Sequence, residues 1–229
     1  MEYLVVIPTF QEYENLIGLI PGILESDKNA NVIIVDDDTN DGTENLILKY
    51  QDKYKNRLDL ISRKEKNSYA ESLLIGIKLG YTRGFKRIIQ MDADGSHSIN
   101  DIPKLLLCNS DIVIGSRYLK GSQVLNVSLT RQLISILGNL YISLIWKTRI
   151  RDKTNGFRLF NERALSELSN FDNIARGFAV QIDVLNYLRQ SKHFQIKEVP
   201  VKFVFRNLGK SKFDFKKIIE AFYHTTFRH

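Results

Sequence analysis

The sequence predicts an α/β domain built on a central, mostly parallel sheet with helices on both faces. Two observations predict it. Short β-branched runs alternate with segments whose apolar residues recur at helical spacing, the pattern of repeated strand–helix–strand units. Three of the strand-like runs end in unusual residues: Pro8-Thr9-Phe10, Asp36-Asp37-Asp38 and Asp92-Ala93-Asp94. Open parallel sheets bind ligands at the carboxyl ends of their strands, so these three ends should converge.

Taken in order, Tyr3–Ile7 is a short apolar run stopped by Pro8 and reads as a buried strand. Glu14–Glu25 has helical spacing. Asn31–Val35 is a second strand, ended by three aspartates. Asp41-Gly42-Thr43 is a turn and cap signal, with a helix following to Tyr54. Leu58–Ile61 is a third strand, Ser68–Gly80 a helix, and Arg87–Met91 a fourth strand. Asp101–Leu107 is a helix and Asp111–Gly115 a fifth strand. The second half is less regular. Thr130–Trp146 is a strongly apolar helix, Asn161–Leu168 a short one, and Val180–Arg189 another. Gln195–Phe205 alternates as one strand, with Pro200 marking an edge or a bulge. Phe215–Phe227 carries a helical apolar face. With no repeat, low-complexity tract or long linker, residues 1–229 read as one domain with a C-terminal elaboration.

Apolar residues make up 43% and charged residues 26% of the chain, which excludes disorder as the organising state. The lone Cys108 excludes an internal disulfide and reads as a small buried hydrophobe. No signal peptide and no window of about 18 consecutive apolar residues is evident, so neither a leader nor a spanning helix is expected. The net charge of +7 is unevenly spread. Residues 1–115 hold 13 Lys and Arg against 18 Asp and Glu, a balance of −5; residues 116–229 hold 20 against 8, a balance of +12. An acidic half suits a cation; a basic half suits phosphates or an anionic surface.

The acids at the end of the fourth strand carry the sharpest chemistry. Asp92 and Asp94, at i and i+2, put hard oxygen ligands near one point. That suits Mg²⁺ or Mn²⁺, which bind a few carboxylates and complete their shell with water and phosphates. Asp36, Asp37 and Asp38 read either as a solvated turn with helix-capping acids or as a set of which one accepts hydrogen bonds from a nucleotide base or ribose. No Gly-x-Gly-x-x-Gly follows the first strand and no P-loop motif occurs, which disfavours dinucleotide and P-loop readings. His97 follows the acids closely and reads equally as a site-lining or a supporting residue. His193, His224 and His229 lack zinc spacing.

The blocks Pro8 to Leu16, Val35-Asp36-Asp37-Asp38 with Asp41-Gly42-Thr43, and Met91-Asp92-Ala93-Asp94 with Ser96-His97 resemble family 2 glycosyltransferases of the GT-A fold. The segments Asp111 to Tyr118, Asp152 to Arg158, Glu198-Val199-Pro200 and Arg206 to Lys212 narrow the likeness. They are similar to dolichyl-phosphate mannose synthases and related polyprenyl-phosphate hexosyltransferases. The blocks run in the same order over nearly the whole chain.

The resemblance implies roles for particular residues. Pro8, Phe10, Glu12, Val35 and Asp37 match positions that hold the donor nucleotide. Asp92 and Asp94 match ligands of the metal and diphosphate, with Ala93 in the donor contact and Ser96 a further polar ligand. Arg117 matches an arginine near the donor sugar and phosphates, Arg131 an acceptor-phosphate arginine, and Arg206 with Lys212 a basic clamp. Four positions depart from the pattern. Phe10 replaces a tyrosine, Asn67-Ser68-Tyr69 replaces Gly-Leu-Gly, Asp183 replaces the commoner glutamate, and Asn155 a frequent serine.

The implied activity is metal-dependent, inverting transfer of a hexose, mannose or glucose, from a GDP- or UDP-sugar to a polyprenyl phosphate. Residues 1–115 would form the nucleotide-binding half and 116–229 the acceptor-binding half. A phosphate monoester acceptor is already anionic near neutral pH and needs cationic positioning rather than a base. Arg117, Arg131, Arg158, Arg206 and Lys212 are the candidates, with Asp183 also in the acceptor region; Asp94, Arg117 and Arg131 are the residues placed at the chemistry. Leu133–Trp146, flanked by Arg131, Lys147, Arg149 and Arg151, has the composition of a helix lying in a membrane interface, as does the face from Phe215. The implied location is cytoplasmic, peripheral to the cytoplasmic face of a membrane. Transfer to a glycan hydroxyl, with Asp183 or a neighbouring acid as base, is the alternative. Nucleic-acid binding is disfavoured by the acidic first half and the lack of a recognised module.

Overall fold

The structure is a computed structural model, and it describes residues 1–37, 40–63, 68–172, 177–191 and 193–205. The C-terminal face from Phe215, together with Arg206, Lys212 and Asp38, lies outside the described residues. The strands are β1 (Tyr3–Thr9), β2 (Ala30–Asp36), β3 (Leu58–Ser62), β4 (Arg87–Gln90), β5 (Ile112–Ser116), β6 (Gln123–Leu125), β7 (Arg158–Asn161), β8 (Ile196–Pro200) and β9 (Lys202–Val204). The helices are α1 (Tyr13–Ser26), α2 (Thr43–Tyr54), α3 (Tyr69–Thr82), α4 (Ile102–Leu107), α5 (Leu129–Trp146), α6 (Glu162–Ser169) and α7 (Val180–Gln190).

Seven strands form one sheet in the order β3-β2-β1-β4-β7-β5-β8, and β6 pairs with β9 beside it. All pairings in the large sheet are parallel except those of β7, which runs antiparallel to both β4 and β5. The expected parallel sheet is therefore interrupted at its centre. β7 has only four residues and follows the polar loop 152–157, so no strand-length apolar run announces it. The single strand expected over Gln195–Phe205 is two: β8 joins the large sheet and β9 crosses to β6. Pro200 is the last residue of β8, the edge strand, where its missing N–H costs no ladder bond.

Period-2 alternation sorts the core onto the two faces. Val5, Ile7, Val32 and Ile34 pack with Leu16, Ile20, Ile23 and Ile47 of α1 and α2. Leu4, Val6, Ile33 and Val35 pack with Leu73, Leu74 and Ile77 of α3, and that cluster continues to α6 and α7. α3 lies close on the sheet because two of its contact residues are glycines. A Cβ on Gly76 would collide with Val6, and one on Gly80 with Leu4 and Ile88. This close approach sets the first turn of α3 over the ends of β2 and β4, where the acids are. Among the described residues no helix is long and apolar enough to cross a membrane.

Candidate active site

Three strand ends meet, and hydrogen bonds hold them together. The Thr9 hydroxyl at the end of β1 donates to Asp36 Oδ1 at 2.6 Å, and the Asp37 N–H donates to the Thr9 carbonyl at 3.2 Å. Gln11, with φ 57°, turns the chain between Phe10 and Glu12, so β1 leaves the sheet abruptly there. Asp41 accepts the Thr43 N–H at 3.0 Å and the Tyr13 N–H at 3.4 Å, joining the starts of α1 and α2. Asp37 accepts the Ser72 hydroxyl at 2.7 Å and lies 3.5 Å from the Arg63 guanidinium. Burial pushes its carboxyl up, and Ser72 and Arg63 counter part of that. One turn earlier on α3, the Tyr69 hydroxyl donates to Asp92 Oδ1 at 2.6 Å. Residues three apart on a helix share a face, so a single turn of α3 grips the acids of β2 and β4.

His97 fixes Asp92 from the other side. Its Nδ1 accepts the Asp92 N–H at 3.2 Å, which requires that nitrogen to be unprotonated. Its Nε2, 3.0 Å from Asn155 Oδ1, then carries the proton. The ring is 3% exposed and stacks on Phe157 with centroids 5.0 Å apart. His97 is thus a supporting residue, the second of its two sequence readings. Gly156 leaves room beside this acid: a Cβ there would stand 3.2 and 3.3 Å from the two Asp92 carboxylate oxygens.

Asp94 accepts the Ser96 N–H at Oδ1 (3.0 Å), and Gly95 between them takes φ 74°. Burial, with a further contribution from Asp94, pushes the Asp92 carboxyl up, opposed by Tyr69 and Arg117. Two carboxylates that repel each other at a strand end form a hard-oxygen donor set for a cation. Among the described residues no group of three or more His, Cys, Asp and Glu side chains gathers as a cage. The donor set therefore fits an open Mg²⁺ or Mn²⁺ site completed by water and phosphate, not a closed all-protein one. Burial and the neighbouring Asp92 charge raise the Tyr69 phenol well above its ordinary range, so it acts as a donor.

The second half faces these acids with arginine that is largely committed. Arg117, in the loop after β5, grips Asp152 bidentately (Nε to Oδ2 2.7 Å, Nη2 to Oδ1 2.8 Å) and also reaches Thr154 Oγ1 at 2.8 Å. Burial alone would raise the Asp152 carboxyl; the Arg117 guanidinium and N–H hold it below the usual carboxylate range. Arg117 still lies over the Phe203 ring (5.2 Å to its centroid) and interacts with Asp92, so it borders the acidic pocket.

Arg158 corrects the sequence reading. It was expected at the acceptor phosphate, but it is 0% exposed, and its guanidinium donates to the carbonyls of Lys153, Asn155 and Gln181 at 2.6–2.9 Å. Its position at the first residue of the unforeseen β7 explains why. The Val35 side chain is 0% exposed and packs under α3, so only its backbone could face a donor. Pro8 is its register partner and is also buried. Phe10 and Glu12 are half-buried at the mouth beyond β1, where Glu12 accepts Asn15 Nδ2. Ala93 is buried between the two acids. Ser96 is 3% exposed and orients Asp94 through its N–H. Arg131 sits half-buried in the first turn of α5, capped by Ser128. Asp183 is buried in the first turn of α7, two residues beyond Gln181, whose amide reaches the Tyr69 hydroxyl at 3.2 Å. Arg206 and Lys212 are outside the described residues. Sequence reasoning missed Ser72, Arg63, Gln90 and Gln181. Only the helical spacing of Tyr69 and Ser72 could have signalled the first of these.

The sequence model of one family, described as "Glycosyl transferase family 2", matches residues 4–169. Curated relatives match more of the chain. Polyprenol monophosphomannose synthase of Mycolicibacterium smegmatis is 31% identical over 223 residues, 96% of this chain and 84% of that protein. Undecaprenyl-phosphate mannosyltransferase of Micrococcus luteus is 30% identical over 229 residues, 99% and 93%. Dolichol-phosphate mannosyltransferase of Pyrococcus furiosus is 32% identical over 98% of this chain but 62% of its own length. Among solved structures, glucosyl-3-phosphoglycerate synthase of Mycobacterium tuberculosis aligns at a TM-score of 0.71 and 15% identity, over 98% of this chain and 80% of that one. The same enzyme has been solved with Mn²⁺ and UDP-glucose, and that structure aligns at a TM-score of 0.69. At such identity the likeness shows the fold, which is GT-A.

Proposed function

The chain belongs to glycosyl transferase family 2 and is a glycosyltransferase, and from that premise we propose that it moves a hexose, mannose before glucose, from a nucleotide-diphosphate sugar to a polyprenyl phosphate. The observation that carries the proposal is the grip of one α3 turn on both acid-bearing strand ends, Asp37 through Ser72 and Asp92 through Tyr69, opposite Arg117. The names of the curated relatives support the acceptor class and the mannose preference.

Each group has a task in this reading. Asp37, with the turn at Phe10 to Glu12, receives the nucleoside. Asp92 and Asp94 would hold a divalent ion, which supplies charge neutralisation on the departing nucleoside diphosphate. Arg117, held rigid by Asp152, borders the donor phosphates, and Arg131 meets the acceptor phosphate. The acceptor brings its own anionic oxygen, so rate comes from alignment and fixed charge rather than from a general base. The exposed apolar face of α5 is the surface we assign to a membrane, where a polyprenyl chain resides. Its leucines 129, 133, 137, 140 and 144 are each more than half exposed, with Lys147, Arg149 and Arg151 exposed just beyond. A peripheral position on the cytoplasmic face of a membrane belongs to the same proposal.

The test is direct. The protein is incubated with Mn²⁺, a short polyprenyl phosphate and labelled GDP-mannose, GDP-glucose, UDP-glucose and other hexose donors in turn. Label extracted into organic solvent with one donor, and lost in Asp92→Asn, is the expected result. Label appearing only in an added oligosaccharide would overturn the acceptor assignment.

A further inference from the structure

Tyr69 occupies a position that the sequence marked as a departure, and the geometry there is specific. Its hydroxyl meets Asp92 Oδ1 at 2.6 Å, Gln181 Nε2 at 3.2 Å and Gln90 Nε2 at 3.3 Å. Both amide nitrogens are donors and a phenol has one proton, so that proton goes to Asp92. The ring is anchored in the α3-side core, and Ser68 caps the helix beneath it by accepting the Glu71 N–H. An aspartate carboxylate turns freely about its last bond unless something stops it. Here Tyr69 holds one oxygen, and the missing side chain of Gly156 leaves the space beside the carboxylate open, since a Cβ there would stand 3.2 and 3.3 Å from its two oxygens. The other oxygen, Oδ2, lies 3.8 Å from His97 Nε2, beyond a hydrogen bond.

We propose that Tyr69 is a positioning residue of the donor site: its hydroxyl claims Asp92 Oδ1, fixes the carboxylate plane, and leaves Oδ2 for a divalent cation and the nucleoside diphosphate. Gln181, in the first turn of α7, donates to the same hydroxyl and helps hold it in place. This rests on the reading of Asp92 as a cation-binding acid.

The experiment compares wild type with Tyr69→Phe, which keeps the ring and removes the bond. Free Mn²⁺ is titrated by electron paramagnetic resonance against each protein, alone and with GDP or UDP, and transfer rates are followed against Mn²⁺ and against polyprenyl phosphate. A hydrogen bond to a charged group is worth enough that its loss should weaken Mn²⁺ binding roughly tenfold. The KM for the polyprenyl phosphate should stay within about twofold of wild type, a split that general loosening of the fold would not give. Equal Mn²⁺ affinity in the two proteins overturns the role of Tyr69, even if both transfer sugar. Wild type that binds no Mn²⁺ with either nucleotide overturns the underlying reading of Asp92 instead. If Tyr69→Phe does not fold, Gln181→Leu removes one donor into the hydroxyl and should weaken Mn²⁺ two- to threefold by the same route. Unchanged Mn²⁺ affinity there overturns the proposal.

Discussion

Residues 1–115 and residues 116–205 are held together by different means. The first region is an apolar sandwich: β1 and β2 are buried along nearly their whole length, with charge kept to the strand ends. The second buries charge inside itself. Asp152, Lys153 and Arg158 are each 0% exposed and are satisfied by one another's backbone, by Arg117 and by α5. Lys153 Nζ donates to the Asn139 carbonyl and to Ser143 Oγ, and its N–H to Asn139 Oδ1, so the loop 152–155 is clamped to α5. The same acidic and basic letters therefore do different jobs. The site acids of the first region stand at strand ends, whereas Arg117, Lys153 and Arg158 in the second are engaged by the fold.

The sharpest way to break this comparison is Asp152→Asn. All the contacts of this carboxylate are accepted ones, from the Arg117 guanidinium, the Arg117 N–H and the Asn155 N–H. An amide puts N–H against donors and strands the largely buried Arg117 guanidinium. The expected cost is about 3–5 kcal/mol in urea denaturation. A cost under about 1 kcal/mol would mean that the second region is not built around this pair.

The contrast explains what the sequence could and could not reveal. The strand–helix alternation of the first region was legible because each buried strand is an uninterrupted apolar run, and the acids that end those runs marked the strand ends that come together. The +12 balance of residues 116–229 was read as a phosphate wall. Net charge records how many cations there are, not whether each has a buried partner. Arg158 was lost for that reason, and because the polar sequence 152–157 gave no warning of an antiparallel strand. Tyr69 was noticed only as an oddity, since a hydrogen bond across 23 residues of sequence leaves no periodic trace.

Lys153 gives a pH-dependent version of the same test. Burial pushes its amine down to about 8 from an ordinary 10.5. Below pH 8 both folded and unfolded chains hold the proton, and the full burial cost is present. Between 8 and 10.5 the unfolded chain binds more protons, so stability rises with pH. Lys153→Met removes this linkage. The stability difference between variant and wild type should shift by about 3 kcal/mol across that window, and a parallel pair of curves would show that the amine is not buried as a charge.

Asp94→Asn probes the first region, where the cost to folding should be small. Asp94 is half-buried and in mutual repulsion with Asp92, so neutralising it should change stability by less than about 1 kcal/mol. Mn²⁺-dependent nucleotide binding, followed by calorimetry, should nonetheless fall at least roughly tenfold. If this variant unfolds as readily as Asp152→Asn, the division of labour between the two regions is wrong.

The smallest expected effect on folding comes from α5, and it separates packing from docking. The helix has two faces. Asn139, Ile142 and Trp146 turn inward, and Leu129, Leu133, Ile136, Leu137, Leu140 and Leu144 form the outward one at i, i+4, i+7, i+8, i+11 and i+15. Leu133, Leu137 and Leu140 are each more than half exposed, so replacing them together with serine should cost within about 0.5 kcal/mol each. The leucines are 54–57% exposed in water, and their burial in a bilayer interface would be lost. At roughly 25 cal/mol per Å² of apolar surface, three leucines are enough to carry a peripheral helix on or off a membrane. Co-sedimentation with vesicles containing anionic lipid should therefore fall by more than about tenfold for the triple variant, with its melting temperature unchanged. A triple variant that binds vesicles like wild type would mean that this face covers something other than a membrane.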